Sequence, residues 1–229
     1  MSGNRESGRP AAPEPAHARL NRAVEVMREV RERCVWTQEI THEALVPYLI
    51  EESHELIDAV ESGSRADMRE ELGDLLWQVL FHAEIASRDA DAPFDIDDVA
   101  GDLAEKMVRR HPHVFAGETA ATPEEVLVHW NAAKAAEKRE RTSVLDGLSR
   151  GMPALALADK LLGKAAKVGA MPVEDAAAAG DHAAVIGDRL LALVAEARAA
   201  GVDAEGALRA RLRELEGEIR AAERAAEQA

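Results

Sequence analysis

The stretch Glu51-Glu52-Ser53-His54-Glu55, followed after a short polar turn by Glu71-Leu72-Gly73-Asp74, decides how this chain is read. Glu52 and Glu55 are three residues apart, and so are Glu71 and Asp74. Residues at that spacing share one face of a helix, with about 5–6 Å between Cβ atoms. Leu45, Leu49, Leu56 and Ala59 surround the first pair in steps of four and three, and Glu52 fills the remaining position of their stripe. A carboxylate on an apolar stripe turns toward a helix bundle, which is costly unless something positive meets it. The second pair borders the apolar run Leu75, Leu76, Val79 and Leu80. Two helices joined at Ser62-Gly63-Ser64 bring the four acids together, and all-oxygen ligation of that kind favours Mg2+ or Mn2+ over zinc. The competing reading is a solvated face in a very acidic chain.

Working outward, the pattern is helical nearly throughout. Residues 1–17, rich in Gly, Pro, Arg and Ala, have almost nothing to bury and read as a disordered tail. Leu20, Ala23, Val24, Met27 and Val30 make one apolar stripe. The next helix spans roughly Thr41 to Glu61, with Pro47 expected to mark a kink or a restart. Ser64 caps a third helix running to about Ser87, and Asp95 opens a fourth that ends near Arg110. Thr122-Pro123-Glu124-Glu125 combines a hydroxyl N-cap, a first-turn proline and a capping-box glutamate. Further helices are expected over about 153–168, 181–200 and 203–226. The fold class is all-α, with a catalytic domain over 18–145 and C-terminal helices over 146–229. Within the latter, Val185-Ile-Gly-Asp188-Arg-Leu190 echoes Glu71-Leu-Gly-Asp74-Leu-Leu76. If the echo is a second module, it has lost its ligands, because Val185 stands where Glu71 does.

Composition narrows the function classes. A formal charge of −15 argues against a nucleic-acid or anionic-membrane surface, while a phosphorylated small molecule remains compatible through a metal ion. The single Cys34 cannot form an internal disulfide, as expected in a reducing cytoplasm. No apolar run reaches membrane-spanning length.

Against this acidity, Lys106 and Arg110 lie four apart, as do Trp130 and Lys134. Each pair reads either as helix-end cations and a core indole, or as phosphate and base contacts. Glu39-x-x-His42 and Glu51-x-x-His54 share the spacing of di-iron bundles, a minor alternative because Glu39 is expected in a loop.

Glu51-Glu52-x-x-Glu55, fifteen intervening residues, then Glu71-x-x-Asp74 resembles the motif of the MazG-type nucleoside triphosphate pyrophosphohydrolases. The likeness extends from about Leu20 to Val168. It takes in Trp36, Pro47-Tyr48, Arg109-Arg-His-Pro-His-Val-Phe115, Trp130 with Lys134, and Pro153-Ala-Leu155 leading to Lys160. The resemblance implies an all-α homodimer that hydrolyses nucleoside triphosphates to monophosphate and pyrophosphate with Mg2+, in nucleotide-pool house-cleaning. By position, Glu52, Glu55, Glu71 and Asp74 fall on the family's metal ligands, with Glu51 a further catalytic candidate. Trp36, Lys106, Arg110, Trp130 and Lys134 fall on substrate-contacting positions. One segment departs: the family's usual Gly-Cys-Pro-Trp-Asp-x-Glu-Gln-Thr reads Arg33-Cys-Val-Trp-Thr-Gln-Glu-Ile-Thr41 here. A narrower pyrophosphohydrolase, acting on dUTP or a phosphoribosyl-nucleotide, and a non-catalytic helical regulator are the other readings.

Overall fold

The computed structural model describes residues 17–139, 142–170 and 182–227, and among these every regular element is a helix. The expected tail over residues 1–17 lies outside the described residues, His17 excepted. The chain divides into two compact units, the first ending at Glu137 and the second beginning at Lys138.

In the first unit, α1 (Ala18–Arg33) leads through a one-turn α2 (Val35–Glu39) into the long pair α3 (His42–Ser62) and α4 (Arg65–Ala86). Then come α5 (Ile96–Arg110), the short α6 (Pro112–Phe115) and α7 (Pro123–Ala136). The start signals act as the chemistry demands. The Thr41 hydroxyl accepts from the Ala44 N–H and the Ser64 hydroxyl from the Asp67 N–H, each satisfying an orphan donor of the first turn. Asp95 and Asp98 form a reciprocal capping box at α5. At α7 the Thr122 hydroxyl accepts from Glu125 N–H, but the Glu125 carboxylate reaches back to Ala121 N–H rather than to Thr122. The box is therefore shifted by one residue. Gly63 ends α3 at φ +76°, a left-handed conformation that glycine adopts without Cβ strain, and so turns the chain straight into α4.

Two local expectations are corrected. Pro47 neither restarts nor interrupts α3, which runs through it from His42 to Ser62. Glu39 is the last residue of α2 rather than part of a loop. The α2 turn is fixed by a buried side chain: the Thr37 hydroxyl donates to the carbonyls of Val30 and Cys34.

Met27, Ile40, Leu45, Leu80 and Phe81 form the core of this unit, with Trp77, Ile85 and Ile96 packed around them. Each such side chain contributes about 1.5–3 kcal/mol on burial. This core clamps α1 and α3 onto α4 and so fixes the two acid-bearing helices side by side. A histidine pair adds a polar tie between them. His42 Nδ1 and His82 Nδ1 are 2.8 Å apart, with ring planes within 6° and centroids 5.1 Å apart. The centroid separation equals the N···N distance plus one ring radius at each end, so the rings meet edge to edge across a shared N–H···N bridge. Burial, then the charge of His42, pushes the His82 pKa down.

The second unit consists of α8 (Ala154–Lys167), α9 (His182–Ala199) and α10 (Ala204–Glu227). Arg198 of α9 reaches α8, donating to the Asp159 carboxylate at 2.6 Å. Its guanidinium lies over Gly163, where a Cβ would approach within 2.7 Å of it. A mid-helix glycine, ordinarily unfavourable, here allows the two helices to meet.

Candidate active site

α3 presents Glu52 and Glu55 to α4, and α4 answers with Glu71. One carboxylate oxygen from each of these three residues lies within 4.8 Å of the other two. The expected motif is thus brought together by two helices, with the Gly63 turn supplying the geometry. Asp74 stands outside that closest trio, one turn along α4 from Glu71, but its charge is the first of the neighbouring charges to act on Glu52. Glu51 is exposed and contributes the weakest of those charges.

The electrostatics are those of a like-charge cluster. Burial first, then the charges of Asp74, Glu55, Glu71 and Glu51, raises the Glu52 pKa above the usual carboxylate range. Glu71 is raised likewise, by burial and then by Glu55, Asp74, Glu70 and Asp67. Oε2 of Glu71 is buried without a hydrogen-bond partner among the described residues. A buried, unpartnered carboxylate oxygen facing other carboxylates is destabilising by itself. A hard divalent cation resolves both the repulsion and the missing partner, so the donor set fits Mg2+ or Mn2+. The di-iron alternative has no support in this geometry. No histidine joins the trio, His54 Nδ1 is engaged with the Ile50 carbonyl at 2.7 Å, and His42 pairs with His82.

The α4 stripe that starts with Glu71 and Asp74 continues into the interior. Gln78, one turn further, is fully buried, and both its side-chain polar atoms lack partners, as does Nε2 of His82 beyond it. Sequence reasoning passed over both residues because a lone Gln or His on a helix carries no distinctive spacing.

The two tryptophans singled out as base-stacking candidates are placed very differently. Trp36 on α2 is 47% exposed and is braced edge-on by Tyr48 and at a tilt by Phe81. Tyr48 sits one helical turn before Glu52 on the same face of α3. Trp130 on α7 is half-buried; the Arg110 guanidinium covers its face at 4.9 Å, and His111 meets it edge-on. Arg110 is also clamped by Glu137, with its Nη2 2.6 Å from the carboxylate, and Arg109 joins from the same side. Those arginines, Arg110 foremost, hold the Glu137 pKa below its ordinary value. Glu137 lies 27 residues beyond Arg110, and nothing in the sequence announces the pairing. Lys106 on α5 is half-buried, Lys134 on α7 is exposed, and neither makes an ion pair among the described residues.

Comparison with known proteins bears on this geometry. A family model for the MazG nucleotide pyrophosphohydrolase domain matches residues 40–115, a span that holds all five acids of the motif. The chain is 50% identical over 206 residues to an uncharacterized 26.1 kDa protein from Streptomyces cacaoi, covering 90% of this chain and 83% of that protein. It is 45% identical over 207 residues to a nucleoside triphosphate pyrophosphohydrolase of Mycobacterium tuberculosis, covering 90% of this chain and 59% of that protein. Identity to the nucleoside triphosphate pyrophosphohydrolase of Escherichia coli is 37% over 155 residues, 66% of this chain and 58% of that one. The chain therefore spans less than two thirds of the length of these two named relatives.

Proposed function

The chain belongs to the MazG nucleotide pyrophosphohydrolase family, and from that premise we propose that it hydrolyses nucleoside triphosphates to the monophosphate and pyrophosphate. The observation that carries the proposal is the convergence of Glu52, Glu55 and Glu71, with Asp74 beside them, on adjoining faces of α3 and α4.

In this reading Glu52, Glu55, Glu71 and Asp74 hold a divalent cation, Mg2+ with Mn2+ as a substitute. When bound, the cation supplies Lewis-acid activation of the reacting water and phosphoryl oxygens. Glu51 or Glu55, both exposed, takes the proton from the attacking water. Attack in line on the α-phosphorus expels pyrophosphate, and Lys106, Arg110 and Lys134 offset the charge of the departing group. Trp36 supplies the stacking face for the base, an assignment supported by its exposure and by the cover over Trp130. Stacking accepts any base, so a broad nucleotide range is expected.

The exposed apolar residues of the α3/α4 pair, among them Ile50, Leu72, Leu76 and Val79, support a homodimer built on these helices. A cytoplasmic house-cleaning role suits a chain in which no described helix is long and apolar enough to cross a membrane. We take α8–α10 as a second module without metal ligands.

The test is a panel of ribo- and deoxynucleoside triphosphates, assayed with Mg2+ and with chelator, with products identified. Monophosphate plus pyrophosphate, lost on chelation, is expected. Diphosphate plus phosphate, or turnover indifferent to the chelator, overturns the reading.

A further inference from the structure

The interior end of the α4 stripe carries polar groups that neither core packing nor the acid cluster accounts for. Gln78 is fully buried, and neither Nε2 nor Oε1 of its amide has a hydrogen-bond partner among the described residues. Nε2 of His82, one turn further on, is buried in the same condition. A buried amide without partners is costly, and an apolar side chain of the same shape would avoid that cost. Such a group in a folded protein calls for a use.

The facing helix does not supply the partners. His42 meets His82 at one end of the α3/α4 pair, and Glu52 and Glu55 meet Glu71 at the other, so the helices run antiparallel in a fixed register. At the level of Gln78, the α3 stripe that carries Glu52 presents Leu45 and Leu49, both apolar. Partners are at hand on α4 itself. Asp74, Gln78 and His82 follow one another at steps of four, the spacing at which a glutamine and an aspartate hydrogen-bond along a helix. Helical side chains lean toward the N-terminus of their helix, which carries the Gln78 amide toward Asp74 and the His82 ring toward Gln78. Asp74 has the complementary need. The closest trio of carboxylates forms without it, and a ligating carboxylate is ordinarily held in place by an outer hydrogen bond. Building on the cation reading of the acid cluster, we propose that Gln78 is a positioning residue for that site: its Nε2–H donates to the Asp74 carboxylate and holds it toward Glu52 and Glu71 when a divalent cation is bound. Oε1 of Gln78 then accepts from Nε2–H of His82, whose Nδ1 accepts from Nδ1–H of His42 across their 2.8 Å contact. All three orphan atoms gain partners, and the donors run one way, from His42 to a cation ligand.

The test is Mn2+ binding by the full-length chain, together with thermal midpoints in chelator. Gln78→Met keeps the shape of the side chain and removes its amide. This variant should bind Mn2+ about tenfold more weakly than the wild type. In chelator it should melt no lower than the wild type, because there the amide has no bond to lose. Wild-type Mn2+ affinity in Gln78→Met would show that the amide does not serve the cation site, and a lowered midpoint in chelator would make it a purely structural group; either result overturns the proposal. Asp74→Ala, which leaves three of the four carboxylates, identifies the route. Adding Gln78→Met to it should weaken binding no further, and a further loss of the same size would mean that Gln78 does not act through Asp74. Failure of the underlying reading looks different. A wild type that binds no Mn2+, or an Asp74→Ala variant that binds like the wild type, removes the cation site or Asp74's part in it, and the proposal falls with it.

Discussion

Two charged regions of the first unit solve opposite problems. At the α5/α7 contact, Arg109 and Arg110 meet Glu137, the charges balance, and a tryptophan is locked beneath a guanidinium. At the α3/α4 contact, carboxylates gather without an ion pair to a described Lys or Arg, one oxygen is buried unpartnered among the described residues, and two pKa values are driven upward. The first arrangement is balanced within the protein and contributes to stability. The second sits on helices held in place by a core that includes Leu45, Leu80 and Phe81, and its gathered charge is what a cation can use. Where a folded protein tolerates unbalanced charge, function is the usual reason.

The largest expected difference between the two is catalytic. Glu71→Gln or Glu52→Gln should lower turnover of the best triphosphate by about a thousandfold or more, since several kcal/mol of transition-state stabilisation depend on those oxygens. Helical circular dichroism should stay unchanged. Retained turnover in both variants would detach the acid cluster from the reaction.

The clamp should answer to stability as well as to turnover. Arg110→Gln removes the partner of Glu137 and the cover of Trp130, and a drop of several degrees in thermal midpoint is expected. The pH dependence follows from the depressed Glu137 pKa. Its stabilisation is complete above the unfolded-state value and is lost as pH falls through the lower folded-state value. The wild-type advantage over Arg110→Gln should accordingly shrink on acidification. A constant advantage across that range would show that the ion pair contributes nothing.

The acid cluster should show the reverse sign and a smaller effect. The raised pKa of Glu71 means that its charged form destabilises the metal-free fold, a cost absent below the unfolded-state value and growing as pH rises through the folded-state value. Metal-free Glu71→Gln should be more stable than the wild type at neutral pH, with the difference vanishing as pH falls. A variant less stable than wild type at neutral pH would mean that Glu71 has a partner.

How legible these regions were differs for physical reasons. The acid pairs were readable because helical spacing and an apolar stripe around Glu52 fix their direction, and because Ser64, Asp95 and Thr122 announce helix starts through local hydrogen bonds. Asp74 shows the limit: three-residue spacing puts it on the right face, but the closest trio forms without it. The one-turn α2 was missed because five residues carry no period, and Pro47 does not restart the helix because α3 carries on through it despite the missing N–H. The Arg110–Glu137 clamp was invisible for another reason. It joins the end of α5 to the end of α7, and long-range pairing of surface-type residues leaves no pattern in sequence. The same holds for the His42–His82 bridge, whose partners are 40 residues apart.

The most direct measurement is Mn2+ binding, followed by the paramagnetic signal of the free ion, in the wild type and in Glu52→Gln and Glu71→Gln. If the carboxylates of α3 and α4 form one cation site, the wild type binds and each variant binds at least about tenfold more weakly. Equal binding in all three would place the cation elsewhere and leave the cluster an ordinary acidic face.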